Sequence, residues 1–160
     1  MDNRYSREKE FSETVIEIKR ISKKTKGGNT IRFSALVVVG DLKGKVGLGL
    51  AKAQDVSSAI QKAIASAKRK MIRVPLKGHT VPFSVRQKFS AAKILLKPAP
   101  PGSGIIAGGA IRVVLEASGI TDAVGKIMGT KNKASNVYAT FDALKTISET
   151  EERLKIRNAK

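Results

Sequence analysis

His79 is the only histidine in the 160 residues, and there is no cysteine. A transition-metal site needs several His, Cys or carboxylate ligands brought together, and His79 has no acidic neighbour in the sequence. Asp41 and Asp55 are the only acids between residues 18 and 100, and they sit where a turn and a helix cap are expected. No Ser-His-Asp order and no H-E-x-x-H string occurs. A general acid–base pair and an activated nucleophile therefore lack their parts, and the expected cofactor set is empty.

Three glycine-bearing stretches could still do binding chemistry. Gly44-Lys45-Val46-Gly47 matches the GxxG that some RNA-binding folds place between helices. Strand-like runs flank it, so a hairpin turn is expected instead. Gly102-Ser103-Gly104-Ile105-Ile106-Ala107 matches a loose dinucleotide fingerprint, with Asp122 near the usual acidic position. It is the one motif that favours a nucleotide-using enzyme. Three prolines, Pro98, Pro100 and Pro101, separate it from the preceding apolar run, and too few alternating strands and helices surround it for a doubly wound sheet. Close approach of another chain, or of a phosphate backbone, to a helix N-terminus suits these glycines better. The third stretch, Lys23-Lys24-Thr25-Lys26-Gly27-Gly28, can project amines among phosphates from a flexible tip.

The chain as a whole is strongly cationic, with 31 Lys and Arg against 13 Asp and Glu and a net charge of +18. The excess is concentrated: residues 1–17 carry −2, residues 18–100 carry +17 and residues 101–160 carry +3. Such a field repels itself unless a polyanion neutralises it, and nucleic acid gains further from counterion release. Aromatic residues make up only 4%, too few for base-stacking platforms. No helix-turn-helix, zinc finger or basic zipper is visible. Phosphate and shape readout of structured RNA is expected. A general RNA chaperone or nucleoid protein is the rival binding class. The longest apolar runs fall short of the ~18 residues of a membrane span, and no signal or transit segment is evident, so a cytoplasmic location without membrane or small-molecule partners is expected.

Coarse patterning positions these residues. Val15–Ile21, Ile31–Val39 and Lys45–Ala51 read as an antiparallel meander joined by a Ser22–Gly28 loop and a Gly40–Gly44 turn. Asp55 is a helix N-cap candidate, and Val56, Ala59, Ile60, Ala63, Ile64, Ala67 and Met71 follow at helical spacing until Val74-Pro75. The alanine stripe should pack on one sheet face. Further along, Thr80–Arg86, Ala92–Lys97 and Asp122–Met128 read as strands. Helices are expected from Ala107 to a C′ glycine at Gly119, and over Ala134–Ile147. The fold class is α+β, with two modest cores. The expected divisions are a flexible tail at 1–13, a β-β-β-α RNA-binding domain at 14–76, an α/β sandwich at 77–148 and a charged tail at 149–160.

Two long stretches then resemble a known family. Gly28-Asn29-Thr30-Ile31-Arg32-Phe33-Ser34-Ala35-Leu36-Val37-Val38-Val39-Gly40-Asp41, continuing through Gly44 to Gly49, is similar to a signature of the fifth protein of the bacterial small ribosomal subunit. So is Gly102 to Arg112. The resemblance covers roughly residues 12–148; Asn29 departs from the basic residue expected after the paired glycines. It implies a double-stranded-RNA-binding-like first domain lacking that fold's first helix, and a second domain of the two-layer kind shared with translocases and kinases. The implied function is that of a structural constituent of the small subunit, located in the ribosome. Its implied partners are small-subunit rRNA, the fourth and eighth small-subunit proteins, and mRNA at the channel through which it enters, with an influence on decoding accuracy. The loop matching Ser22–Gly28 is implied to approach the neck helix region near the spectinomycin site. Combined with the charge map, this puts RNA contacts at Lys19, Arg20, Lys23, Lys24, Lys26, Gly27, Gly28, Arg32, Lys43, Lys45, Lys52 and Arg69. It puts a protein interface at Gly102, Ser103, Gly104 and Arg112, facing the fourth protein.

Overall fold

A computed structural model describes residues 11–158. Four antiparallel strands form the first sheet in the order β1 (Ser12–Thr25), β2 (Gly28–Gly40), β3 (Lys45–Ala53) and β4 (Ile72–Arg73), with α1 (Val56–Arg69) between the last two. The second sheet comprises β5 (Val85–Phe89), β6 (Ala92–Pro98), β7 (Ile105–Ile106) and β8 (Ala123–Met128), in the spatial order β5-β6-β8-β7. Helix α2 (Gly109–Ser118) connects the parallel pair β7 and β8, and α3 (Lys133–Asn158) follows.

Alternation along β2 sets the layering. Ala35, Val37 and Val39 point to one face and pack with Ala59, Ala63 and Ala67 of α1, as the alanine stripe requires. Opposite them on β3 are Gly47 and Gly49. A Cβ at Gly49 would lie 1.9 Å from the Ala63 carbonyl oxygen, so only glycine lets the helix lie this close to the strand. Asp55 occupies the N-cap position of α1, but its side chain makes no capping hydrogen bond.

The other face of the same strands does something that patterning along one strand does not reveal. Leu36, Val38, Val46 and Leu48 enter a core that also holds Ile94 and Leu96 of β6, Ile111 and Leu115 of α2, and Leu144 and Ile147 of α3. The first sheet is therefore buried on both faces near its centre, and the second core belongs to both halves of the chain. The junction is also hydrogen-bonded. The last carbonyls of α2 have no partners within the helix; Ala117 O accepts from Leu42 N (3.2 Å) and Ser118 O from Gly44 N (2.9 Å). Gly119 closes α2 in the left-handed region at φ 84°, as its C′ placement demands.

Several boundaries differ from expectation, each for a physical reason. The Ser22–Gly28 loop is instead strand up to Thr25, with Thr25 paired to Gly28. Only Lys26 and Gly27 form the tip, in the manner of a two-residue hairpin. The strand expected at Thr80–Arg86 begins at Val85, because Pro82 has no N–H to give a ladder; a Lys77–Thr80 bridge with Gly78 at φ 64° precedes it. Ser12 and Glu13 lie in β1 rather than in a tail. Glu13 pairs with Lys68 at 2.9 Å, and that amine also sits 5.6 Å from the Phe11 ring centroid; the remainder of the expected N-terminal tail falls outside the described residues. At the other end, 149–158 continues α3. No glycine or proline interrupts it, and the i,i+4 pairs Lys145–Glu149 (3.9 Å) and Lys155–Glu151 (3.4 Å) support it.

Candidate nucleic-acid interface

Strand β3 ends at Ala53, opposite Phe33. Beyond that point Ile21–Thr25 and Gly28–Arg32 continue as a two-stranded ribbon, five residues a side, which projects roughly 15 Å from the sheet at ~3.4 Å per residue. Its residues are exposed or half-buried. Thr25 Oγ1 donates to Gly28 O at 2.8 Å across the tip, and Gly28 has φ 124°, a value that excludes most side chains.

Register sorts the cations onto two faces. Lys19, Ser34 and Lys52 form one row across three strands; Ile21 opposite Arg32 and Lys23 opposite Thr30 continue that face towards the tip. Ile21, Lys23, Thr25, Thr30, Arg32 and Lys52 line a groove of about 350 Å³. Arg20 and Lys24 point to the opposite face, beside exposed Ile18 and Ile31. Lys26 and Gly27 form the turn, and Gly28 opens β2 opposite Thr25. Lys19 is tied to Glu17 at 3.2 Å, which reduces its free charge.

The remaining expected contacts are elsewhere. Lys43 and Lys45 lie at the far end of the sheet, in and after the β2–β3 turn, and Asp41 Oδ1 accepts from both of their backbone amides at 2.8 Å. This confirms Asp41 as a turn residue. The turn and the ribbon tip are separated by the 13 residues of β2, about 40 Å. Arg69 ends α1 at the same end as Lys45, because Gly47 packs on Ala67 there. Lys43 shares a cleft with Arg73, but also with Glu151 and Glu152 of α3, so its surroundings are less cationic than the sequence suggests. The structure thus brings together the ribbon set and separates Lys43, Lys45 and Arg69 from it.

The Gly102–Arg112 segment forms a different kind of surface. Gly102 (φ 85°) and Gly104 (φ 69°) lie before β7, not between a strand and a helix. The nucleotide fingerprint therefore fails geometrically, and these glycines do not open the N-terminus of α2, whose N-cap is Gly108. The Gly104 amide is already committed, donating to Asp122 Oδ1 at 2.9 Å, while Thr121 Oγ1 donates to Asp122 Oδ2 at 3.0 Å. Asp122 is buried. The Gly104 amide above all holds its carboxyl below the ordinary 3.8, although burial opposes this. A depressed carboxylate contributes stability above its ordinary pKa and loses it as pH falls through the folded value.

Arg112 donates through Nη2 to Ile105 O at 2.7 Å, and its Nε lies 3.9 Å from Glu116 Oε1. Around this pair Leu42, Ile105, Gly119, Ile120 and Thr121 line a shallow cavity of about 460 Å³. Leu42 is 57% exposed and sits at φ 58°, costly for a branched side chain. Sequence reading missed Leu42, because nothing in a turn motif signals an exposed apolar side chain held in the left-handed region. Ser103 makes a backbone bond to Pro100 O (3.2 Å), which shapes the loop.

A helix-backed antiparallel sheet with a long cationic ribbon, sharing its core with a second α/β unit, defines a structural RNA-binding protein. Residues 11–75 match the family described as ribosomal protein S5, N-terminal domain, and residues 87–157 match ribosomal protein S5, C-terminal domain. The chain belongs to the ribosomal protein S5 family: it is a structural protein of the small ribosomal subunit that binds rRNA, with rRNA and other ribosomal proteins as its partners. No helix among the described residues is long and apolar enough to cross a membrane.

Proposed function

We propose that the protein grips folded rRNA through the β1–β2 ribbon, inserting Lys23, Lys24, Lys26 and Arg32 among phosphates, with Lys19, Arg20 and Lys52 at the ribbon's base. The observation that carries this reading is the ribbon's projection beyond β3 with three cationic side chains on its ten paired positions, a fourth, Lys26, at the tip, and no carboxylate among residues 18–40. Gly27 and Gly28 keep the tip narrow. Lys43, Lys45 and Arg69 form a separate phosphate contact at the opposite end of the sheet. The boundaries at 14–76 and 77–148 remain useful as sequence units, although the two units share a core.

The test is binding of a small-subunit rRNA transcript across a salt series. Lys23→Ala, Lys26→Ala and Arg32→Ala should each make the log–log salt slope shallower by ~1. Unchanged slopes in all three variants would remove the ribbon from the phosphate contacts.

The Arg112 surface is the proposed protein interface. Its apolar rim, exposed Leu42 and half-buried Ile105, flanks a guanidinium that can meet a carboxylate of the fourth small-subunit protein. The eighth protein and the mRNA at its channel of entrance are further proposed neighbours. Influence on decoding accuracy follows if this contact is broken and remade: ~1.4 kcal/mol at the interface shifts a two-state balance tenfold. Asp122 positions the loop that flanks it. Asp122→Asn should speed hydrogen exchange at the Gly104 amide, flatten the loss of stability in acid, and raise misreading while subunit incorporation persists. Normal accuracy despite the faster Gly104 exchange would separate this loop from decoding.

A further inference from the structure

Helices α2 and α3 both pack on one face of the second sheet, where Ala92, Ile94, Leu96 and Ala123 are buried. The intervening residues point the other way. Across the strands Arg86 stands opposite Leu95 and Leu95 opposite Lys126; Lys88 stands opposite Lys93, and Lys93 opposite Met128; Lys97 stands opposite Val124. The five cations are exposed. Among the described residues none of them is within ion-pair distance of a carboxylate. No acid occurs at any outward position of these strands.

We infer that this open sheet face is a second RNA-contact surface, one that grips a phosphate backbone independently of the β1–β2 ribbon. The inference rests on the reading of the chain as an RNA-binding protein and adds a surface to it. Charge complementarity selects the occupant. Three adjacent strands ~4.8 Å apart make a platform, and Lys93 and Lys97 lie ~13 Å apart along β6, enough to span several phosphates of a duplex. Leu95, Val124 and Met128 lie between the cations and give their methylene stems apolar surface to lie on, which leaves the amines facing outward. The face offers no aromatic ring: Phe89 turns inward and stacks on Tyr138 at 5.2 Å between centroids. Backbone contact rather than base stacking follows. The sequence held the signal in the period-two spacing of Arg86 with Lys88 and of Lys93 with Lys97, but only cross-strand register shows that Lys126 joins them.

The experiment uses the full chain and a small-subunit rRNA transcript. The triple variant Lys93→Gln, Lys97→Gln, Lys126→Gln should make the log–log salt slope shallower by ~2–3, in wild-type and Lys26→Ala backgrounds alike. Acetylation of wild-type protein in the naked RNA complex, which needs no variant, should show Lys93, Lys97 and Lys126 protected. An unchanged slope and unprotected lysines, while the ribbon variants still weaken binding, would overturn this inference and leave the ribbon reading intact. Protection that appears only in the assembled subunit would assign the face to an acidic protein instead and overturn it equally. Failure of wild-type protein to bind the transcript would defeat the ribbon reading first.

Discussion

Gly40→Ala should lower the free energy of unfolding by roughly 3–5 kcal/mol, at the extreme of single-substitution effects. The added Cβ would lie 1.8 Å from Ala117 O and 2.5 Å from its carbonyl carbon. Neither is the far end of a flexible side chain. Ala117 O is held by Leu42 N, and the next carbonyl, Ser118 O, is held by Gly44 N. Relief would have to move the C-terminal end of α2 away from the β2–β3 turn and open the core beneath it. A loss of this size is a large share of the ~5–15 kcal/mol that a domain has. Gly109→Ala is the matched control. Gly109 is the first residue of α2, has ample space for a Cβ, and should gain up to ~1 kcal/mol from reduced chain entropy. Urea midpoints for the two variants should therefore move in opposite directions. Equal small shifts would mean that the α2 junction yields easily and is not the tight contact described.

Leu36→Ala is expected to cost ~2–5 kcal/mol, the range for emptying a buried leucine site. Its location matters more than its size. Leu36 belongs to the first sheet, but its 2% exposed side chain sits in the cluster that contains Leu144 and Ile147 of α3. Amide exchange along the buried part of α3 should accelerate in the variant, and the urea transition should remain single. Two independent domains would behave otherwise: the N-terminal half would weaken while α3 kept its protection. That outcome would refute the shared core.

Much of the fold was legible in the sequence, for local reasons. Alanine at helical spacing after Asp55 gave α1 and its packed face, and alternating β-branched residues gave β2. Gly119 marked the end of α2 because the left-handed cap selects glycine. Errors gathered where a local rule met a longer-range one. Lysine and glycine near Ser22 suggested a loop, but cross-strand pairing carried β1 on to Thr25. The mixed charges after Glu149 suggested a tail, but an unbroken helical run with i,i+4 pairs extended α3. Gly102 and Gly104 fitted a nucleotide fingerprint by spacing, yet β7 intervenes before the helix, and Asp122 occupies the Gly104 amide.

By itself the sequence determined the cationic middle, the order of the longer elements though not the two-residue strands β4 and β7, and, through two long motifs, the family, because these depend on residue type and short-range spacing. Only the tertiary structure decided which cations share a face, since register, not distance along the chain, places Lys52 beside Lys19 and Lys126 beside Lys93. It alone showed that the two halves are buried against each other. A strand's alternation says that both faces are apolar, but what covers each face depends on where the rest of the chain packs.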